Sequence, residues 1–172
     1  HIKWYDERMK TMKLAFNTLY WKDGFYSSNA EKFKDDRANA IAIVSGIANP
    51  AYYNQIVDNV LIPNRFSSPH FEWLAEEAMC IAGMHKASLE RMKVQYQSQV
   101  DKKEMTTLYE MFPKGGSYNH AWNAPNTILS EYIAGVRPTK VAWSEFEIMP
   151  ELVHFKNIKK TIPTVKGNIE IA

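Results

Sequence analysis

Apolar residues recur through the first twenty positions at Ile2, Tyr5, Met9, Met12, Phe16 and Leu19. Steps of three and four residues in alternation place them along one side of a helix. Lys22-Asp23-Gly24 ends that helix. Asp36 stands where the cap of a second helix belongs, with Ala40, Ile41, Val44 and Ile47 as its buried side. Asn49-Pro50 closes the second helix and opens a third, because the fixed φ of proline suits a first helical position. Tyr53, Ile56, Val57, Val60 and Leu61 line that third helix. Residues 63–69 read as a loop, with Ser68-Pro69 as cap and first residue of a fourth helix reaching about Gly83. Leu89, Met92, Tyr96 and Val100 mark a fifth.

Residues 101–125 break this rhythm with Pro113, Gly115-Gly116, Pro125 and several asparagines. A sixth helix is predicted over roughly 126–134, ended by Gly135. After Arg137-Pro138 the period changes from helical to alternating, at Phe146 and Ile148 and again at Ile169 and Ile171. Lys166-Gly167 suits a turn between strands at 161–165 and 168–171. The pattern therefore predicts a mainly α chain: about six helices in three consecutive hairpins, then a short β segment. Hairpins in series fit a bundle, a solenoid or an α/α toroid, and periodicity does not choose among them.

Composition narrows the function classes. The 172 residues carry 21 basic and 19 acidic side chains, a near balance that gives no reason to expect a nucleic acid or an acidic membrane surface as partner. No apolar run approaches the ~18 residues that a membrane span needs. Cys80 is the single cysteine, so no internal disulfide forms, and its apolar helical surroundings suggest a small buried hydrophobe. Five Trp, nine Tyr and eight Phe supply rings that can stack on sugars, although filling a core is their commoner use. The chain opens at His1 within a helical pattern, with no initiator Met or signal peptide, which suggests a start further upstream or a processed piece.

The stretch 104–126, EMTTLYEMFPKGGSYNHAWNAPN, is long for a loop inside a helical domain. It gathers Tyr109, Glu110, Tyr118, Asn119, His120 and Trp122 within a short length of chain. A carboxylate can take a proton from water, polar groups can bond hydroxyls, and a ring can cover the apolar face of a sugar. A polar loop anchored by a buried Tyr and Trp would read the same way. The other candidates are weaker. Asp35, Asp36 and Arg37 read as a helix cap with an ion pair. His70, Phe71 and Trp73 read as packing at the start of the fourth helix, and His85 and His154 as isolated. The five histidines show no metal-ligand spacing, no phosphate loop surrounds Gly115-Gly116, and no serine nucleophile motif is present.

This stretch resembles the bacterial α-L-rhamnosidases, inverting glycosidases built on a six-hairpin α/α toroid. That family carries A-T-T-x-W-E and, after a Gly-rich insert, S-x-N-H. Here the positions read Met105-Thr106-Thr107-Leu108-Tyr109-Glu110 and Ser117-Tyr118-Asn119-His120. The resemblance implies that Glu110 is the general base and that His120 contacts the bound sugar, with Asn119, Tyr109 and Trp122 shaping the pocket. It continues through residues 128–136, Phe146–Pro150 and Pro163–Gly167, and upstream at Gly24-Phe25-Tyr26 and Arg37–Ala40. It implies that residues 1–137 belong to the C-terminal half of an (α/α)6 toroid and 138–172 to the start of a C-terminal β-sandwich domain. It further implies a rhamnose-containing glycan or glycoside as substrate, no metal or organic cofactor, and a periplasmic or extracellular setting.

Two departures matter. Tyr109 stands where the family commonly has Trp. The family's general acid lies in a D-C-P-x-R-D-E-R-x-G-W segment in the first half of the toroid, which this sequence lacks. Asp6-Glu7-Arg8 copies three letters of it, on an amphipathic helix where a solvated charge cluster is expected. Inverting hydrolysis needs two carboxyl groups about 6.5–9.5 Å apart, so the chain alone is expected to be inactive. Half a toroid should also cover its open face, by forming a homodimer or by meeting the missing N-terminal half. The rival reading is a non-catalytic carbohydrate-binding or assembly fragment. A plain helical interaction domain is the third.

Overall fold

A computed structural model describes residues 2–28, 30, 32–104, 107–112, 115 and 124–172. The chain begins with helix α1 (Ile2–Tyr20), which runs directly into a tight hairpin, β1 (Trp21–Lys22) and β2 (Phe25–Tyr26). Asp23 and Gly24 make the turn with φ of +55° and +85°, the left-handed pair that a two-residue hairpin requires. Helix α2 (Asp36–Val44) follows. Pro50 then starts a 3₁₀ turn, Pro50–Tyr52, that leads into α3 (Tyr53–Ile56) and a wider π turn over Val57–Leu61. The wide turn is closed by the Ile62 amide donating to the Val57 carbonyl at 2.9 Å. Helices α4 (Pro69–Ile81) and α5 (His85–Val100) form an antiparallel pair around Gly83, and α6 (Ala124–Ile128) continues into a second π turn, Leu129–Ile133.

Helix α4 is the hub, packed against α2, α5 and α6. Ala75 and Ala78 are fully buried on it, and their small side chains let the neighbouring helices approach. One apolar cluster joins the β1–β2 hairpin to α2, α3 and α4 through Phe25, Tyr26, Ile43, Ile56, Leu61 and Met79. A second lies between α4, α5 and α6, on Cys80, Met92, Tyr96 and Ile128. Cys80 is a buried free thiol, and burial pushes its pKa up to about 12, so it acts as the small hydrophobe expected.

The tail consists of antiparallel pairs. Strand β3 (Val136–Pro138) pairs with β4 (Phe146–Ile148), and β5 (Lys160–Thr164) pairs with β6 (Gly167–Ile171). The second turn sits at Val165-Lys166, one residue earlier than the sequence suggests. Gly135 joins tail to helices at φ +68°, and a Cβ there would lie 1.9 Å from the Met149 carbonyl oxygen. The Met149 amide donates to the Gly135 carbonyl at 2.8 Å, so the close approach is a backbone contact.

Two helical details differ from the sequence reading. The cap of α2 is Asp35, whose carboxylate accepts from the amides of Arg37 and Ala38, while Asp36 is buried inside the fold. The buried side of α2 carries Ile43 and not Ile41, which is 42% exposed. Ile43 packs into the cluster of Ile56, Leu61 and Met79, and that packing sets the side that α2 turns inward. Helix α1 has no buried residue at all, and Ile2, Tyr5, Met9, Met12 and Leu19 of its apolar stripe are exposed. Asp6, Glu7 and Arg8 lie on it exposed to solvent.

Candidate functional site

Of the residues singled out in the sequence, Tyr109 and Glu110 are described. Asn119, His120 and Trp122 lie outside the described residues, as do Ser117 and Tyr118. Glu110 sits in the segment 107–112, which lies between α5 and α6 in the sequence. That segment has no regular secondary structure, yet it is fastened at several points. Leu108 and Phe112 pack against the cluster of Cys80, Met92, Tyr96, Ala124 and Ile128. The Phe112 ring meets the Tyr96 ring edge-on, with centroids 5.1 Å apart and planes at 77°.

Between these two anchors Tyr109 is 3% exposed. Its amide donates to Gln99 Oε1 at 2.8 Å and its hydroxyl accepts from Lys102 Nζ at 2.7 Å. Tyr109 is therefore a support beneath the segment, with its ring inside the fold and not laid open as a stacking face. The carboxyl of Glu110, half-buried, follows directly. Met111 is 52% exposed. The local pattern thus turns Leu108, Tyr109 and Phe112 inward and carries Glu110 on a fixed piece of backbone, which suits a group that must hold one position.

The remaining acidic candidates are occupied structurally. Asp35 forms a bidentate pair with Arg37, Nε to Oδ1 at 3.0 Å and Nη2 to Oδ2 at 2.7 Å, and these bonds hold its carboxyl below the usual carboxylate range. Asp36 is fully buried, where it accepts from Arg91 Nη2 at 2.6 Å and from Ser67 Oγ at 3.0 Å. Asp36 is thus sealed from solvent, while Asp35, still partly exposed, is held by its arginine.

A polar cluster that sequence reasoning missed lies beneath the same helices. Arg91, 2% exposed, donates to both oxygens of Glu72, at 2.6 and 2.9 Å, and to the carbonyls of Leu61 and Asn64 at 2.6 and 2.8 Å. Glu76, one turn further along α4, is fully buried with no hydrogen-bond partner among the described residues for either oxygen. Desolvation, reinforced by the nearby Glu72 charge, pushes its pKa up to about 9, so it is a neutral acid at pH 7. The available signal was the pair Glu72 and Glu76 at i and i+4 on the apolar side of α4.

His85 and His154, read from sequence as isolated, both converge on Glu151. His85 Nδ1 lies 3.0 Å from one carboxylate oxygen and His154 Nδ1 lies 3.4 Å from the other. This correction follows from the tail folding back so that Glu151 meets the start of α5. His70 is exposed and its ring lies edge-on to Phe71, while Trp73 is 38% exposed. No group of His, Cys, Asp or Glu among the described residues is arranged to hold a metal ion. No described helix is long and apolar enough to cross a membrane.

No family model matches the chain, and no curated protein matches it. Among solved structures, the crystal structure of the GH78 family rhamnosidase of Bacillus sp. GL1 is similar, with a TM-score of 0.72 at 20% sequence identity. The likeness covers 92% of this chain and 19% of that one, so the chain spans about a fifth of the rhamnosidase's length. At this identity the comparison establishes a rhamnosidase-like fold.

Proposed function

We propose that this chain is the portion of an α-L-rhamnosidase-type glycoside hydrolase that carries the general base, Glu110. The observation behind the reading is the fold shared with a GH78 rhamnosidase over 92% of the chain. The segment Thr106-Thr107-Leu108-Tyr109-Glu110 fits it, because its one carboxyl stands between anchored neighbours. In this reading residues 1–137 belong to an α/α toroid and 138–172 begin a β domain. The apolar stripe of α1 meets either the rest of the toroid or a second copy of the chain.

The reaction is inverting hydrolysis of a terminal α-L-rhamnoside. Glu110 takes a proton from a water, which attacks the anomeric carbon on the face opposite the leaving group. The general acid protonates the leaving oxygen and comes from outside this chain, since Asp35 and Asp36 are committed to ion pairs. His120 and Asn119 bond sugar hydroxyls, Trp122 covers the apolar sugar face, and Tyr109 shapes the pocket by fixing the backbone under Glu110.

The test uses the assembled enzyme: this chain joined to, or coexpressed with, the polypeptide that completes the toroid. With an aryl α-L-rhamnoside, Glu110→Gln should lower kcat by about 10²–10⁴ and leave KM nearly unchanged, because a base acts in the transition state. Near-normal turnover would mean that another residue is the base.

A further inference from the structure

We infer that Gln99 is a positioning residue for Glu110, a role that rests on the reading of Glu110 as a general base. Gln99 lies in the last turn of α5 and is 2% exposed. Its side-chain amide is used at both ends. Oε1 accepts the backbone N–H of Tyr109 at 2.8 Å, and Nε2 donates to the Gln95 carbonyl one turn back at 3.3 Å. The second bond fixes the rotation of the amide, and the first transfers that fixed position to the residue next to the carboxylate.

The choice of side chain has a physical reason. A buried backbone N–H without an acceptor is destabilising, so the Tyr109 amide must find one. No helix or strand supplies it, because 107–112 is irregular. A glutamine reaching from a regular helix makes the irregular segment follow the helix. Lys102 holds the far end of the same tyrosine, through its hydroxyl at 2.7 Å. Phe112, two residues beyond Glu110, is held by Tyr96. The carboxylate therefore hangs from backbone fixed on both sides, and of these contacts only Gln99 bonds the main chain directly beside it. A general base must keep its distance to the attacking water within about 0.5 Å, and misplacement by 1 Å can cost about 10²-fold.

The experiment compares Gln99→Leu and Gln99→Glu, alone and combined with Glu110→Gln, in the assembled enzyme with an aryl α-L-rhamnoside. Gln99→Leu removes the acceptor at nearly constant volume and should lower kcat about 10–100-fold, with KM within about twofold. Gln99→Glu keeps the acceptor oxygen but loses the donor to the Gln95 carbonyl, so its rate should fall between those of Gln99→Leu and the wild type. On the Glu110→Gln background, Gln99→Leu should add almost nothing, because the group it positions is already gone. Should Gln99→Leu not fold, Gln99→Asn withdraws the amide by one carbon, keeps it polar, and carries the same expectation in milder form. Full activity of the folded Gln99 variants beside an inactive Glu110→Gln overturns the positioning role and leaves the base assignment standing. An additive loss on the Glu110→Gln background also overturns it, since that is the mark of general structural damage. Near-normal turnover of Glu110→Gln overturns the base assignment, and the positioning role falls with it.

Discussion

Glu76 stands one helical turn beyond Glu72 on α4, and both carboxyls are completely buried, yet only Glu72 is gripped by a guanidinium. Arg91 already balances two carboxylates, Glu72 and Asp36. A third negative charge beside them would have no counterion, so Glu76 keeps its proton at neutral pH, with a pKa of about 9 against the usual 4.5.

That difference makes stability depend on pH with a definite sign. The folded pKa is raised, so the unfolded chain loses its Glu76 proton first. The stabilisation is complete below about pH 4.5 and is lost as pH rises towards 9. The slope approaches ~1.4 kcal/mol per pH unit where the unfolded carboxyl is ionised and the folded one is not. Urea unfolding at pH 5 and pH 8 should therefore show the higher midpoint at pH 5. Glu76→Met, similar in volume and unable to ionise, should reduce the dependence and leave the share that Glu72 and Glu131, both raised by burial, contribute in the same sense. The lowered pKa of Asp35 acts in the opposite sense and only below its unfolded value, outside that window.

Removing the shared cation should be far more damaging than removing the orphan acid. Arg91→Ala leaves Glu72 and Asp36 buried without a counterion and strips the Leu61 and Asn64 carbonyls of their donor, and a loss of about 3–5 kcal/mol is expected. Circular dichroism melting and urea titration should show a chain that is partly or wholly unfolded at 37 °C. Wild-type stability in Arg91→Ala would mean that water reaches and solvates the two carboxylates.

Gly135 and Gly24 both have positive φ, but a methyl group meets different obstacles at each. At Gly135 it meets the Met149 carbonyl at 1.9 Å, and at Gly24 the ends of the Asn59 and Gln55 side chains at 2.5 and 2.6 Å. Backbone cannot retreat as a side chain can. Gly135→Ala should cost about 3 kcal/mol or more and loosen the β3–β4 pair from the helices. Gly24→Ala should cost only the left-handed strain of about 1–2 kcal/mol. Denaturant titration of the two variants ranks them, and a smaller loss at Gly135 would contradict the backbone contact.

The open stripe on α1 has its own expected outcome. Large apolar side chains stand exposed along one helix, where the proposed contact with the rest of a toroid or with a second copy would cover them. Met9→Lys with Met12→Lys should leave the unfolding midpoint nearly unchanged, because neither residue supports the chain's own core. The same pair should abolish association with a second copy or with the completing polypeptide, read by sedimentation at micromolar concentration. A drop in stability with no change in association would place the stripe inside the fold.

Much of the fold was legible because it rests on local rules. Pro50 and Pro69 start their helices where first-position prolines belong, and Gly135 ends the last one as a left-handed residue must. The alternation at 146–148 and 169–171 marks strands that the structure contains. What was not legible depends on distant partners. Asp35 and Asp36 are equally good caps by type, and distant partners, the buried Arg91 at 55 residues from Asp36 and Ser67 at 31, decide which of them turns inward. Glu151 draws in His85 across 66 residues of chain, which no spacing rule anticipates. Glu110 was singled out by its motif, whereas the burial of Tyr109 beside it follows from the hold of Gln99 and Lys102, which a propensity for loops does not reveal.

The reach of Arg91 also bears on how long the folded molecule lasts. Its bonds span 19 residues to Glu72, 27 to Asn64, 30 to Leu61 and 55 to Asp36, so they close only after α2, α4, α5 and the loop before α4 have met. Contacts completed that late contribute little to the barrier for folding and nearly their full strength to the barrier against unfolding. In kinetic terms the arginine acts as a latch: its replacement should leave the refolding rate almost unchanged and multiply the rate of escape from the native state, shortening the protein's half-life.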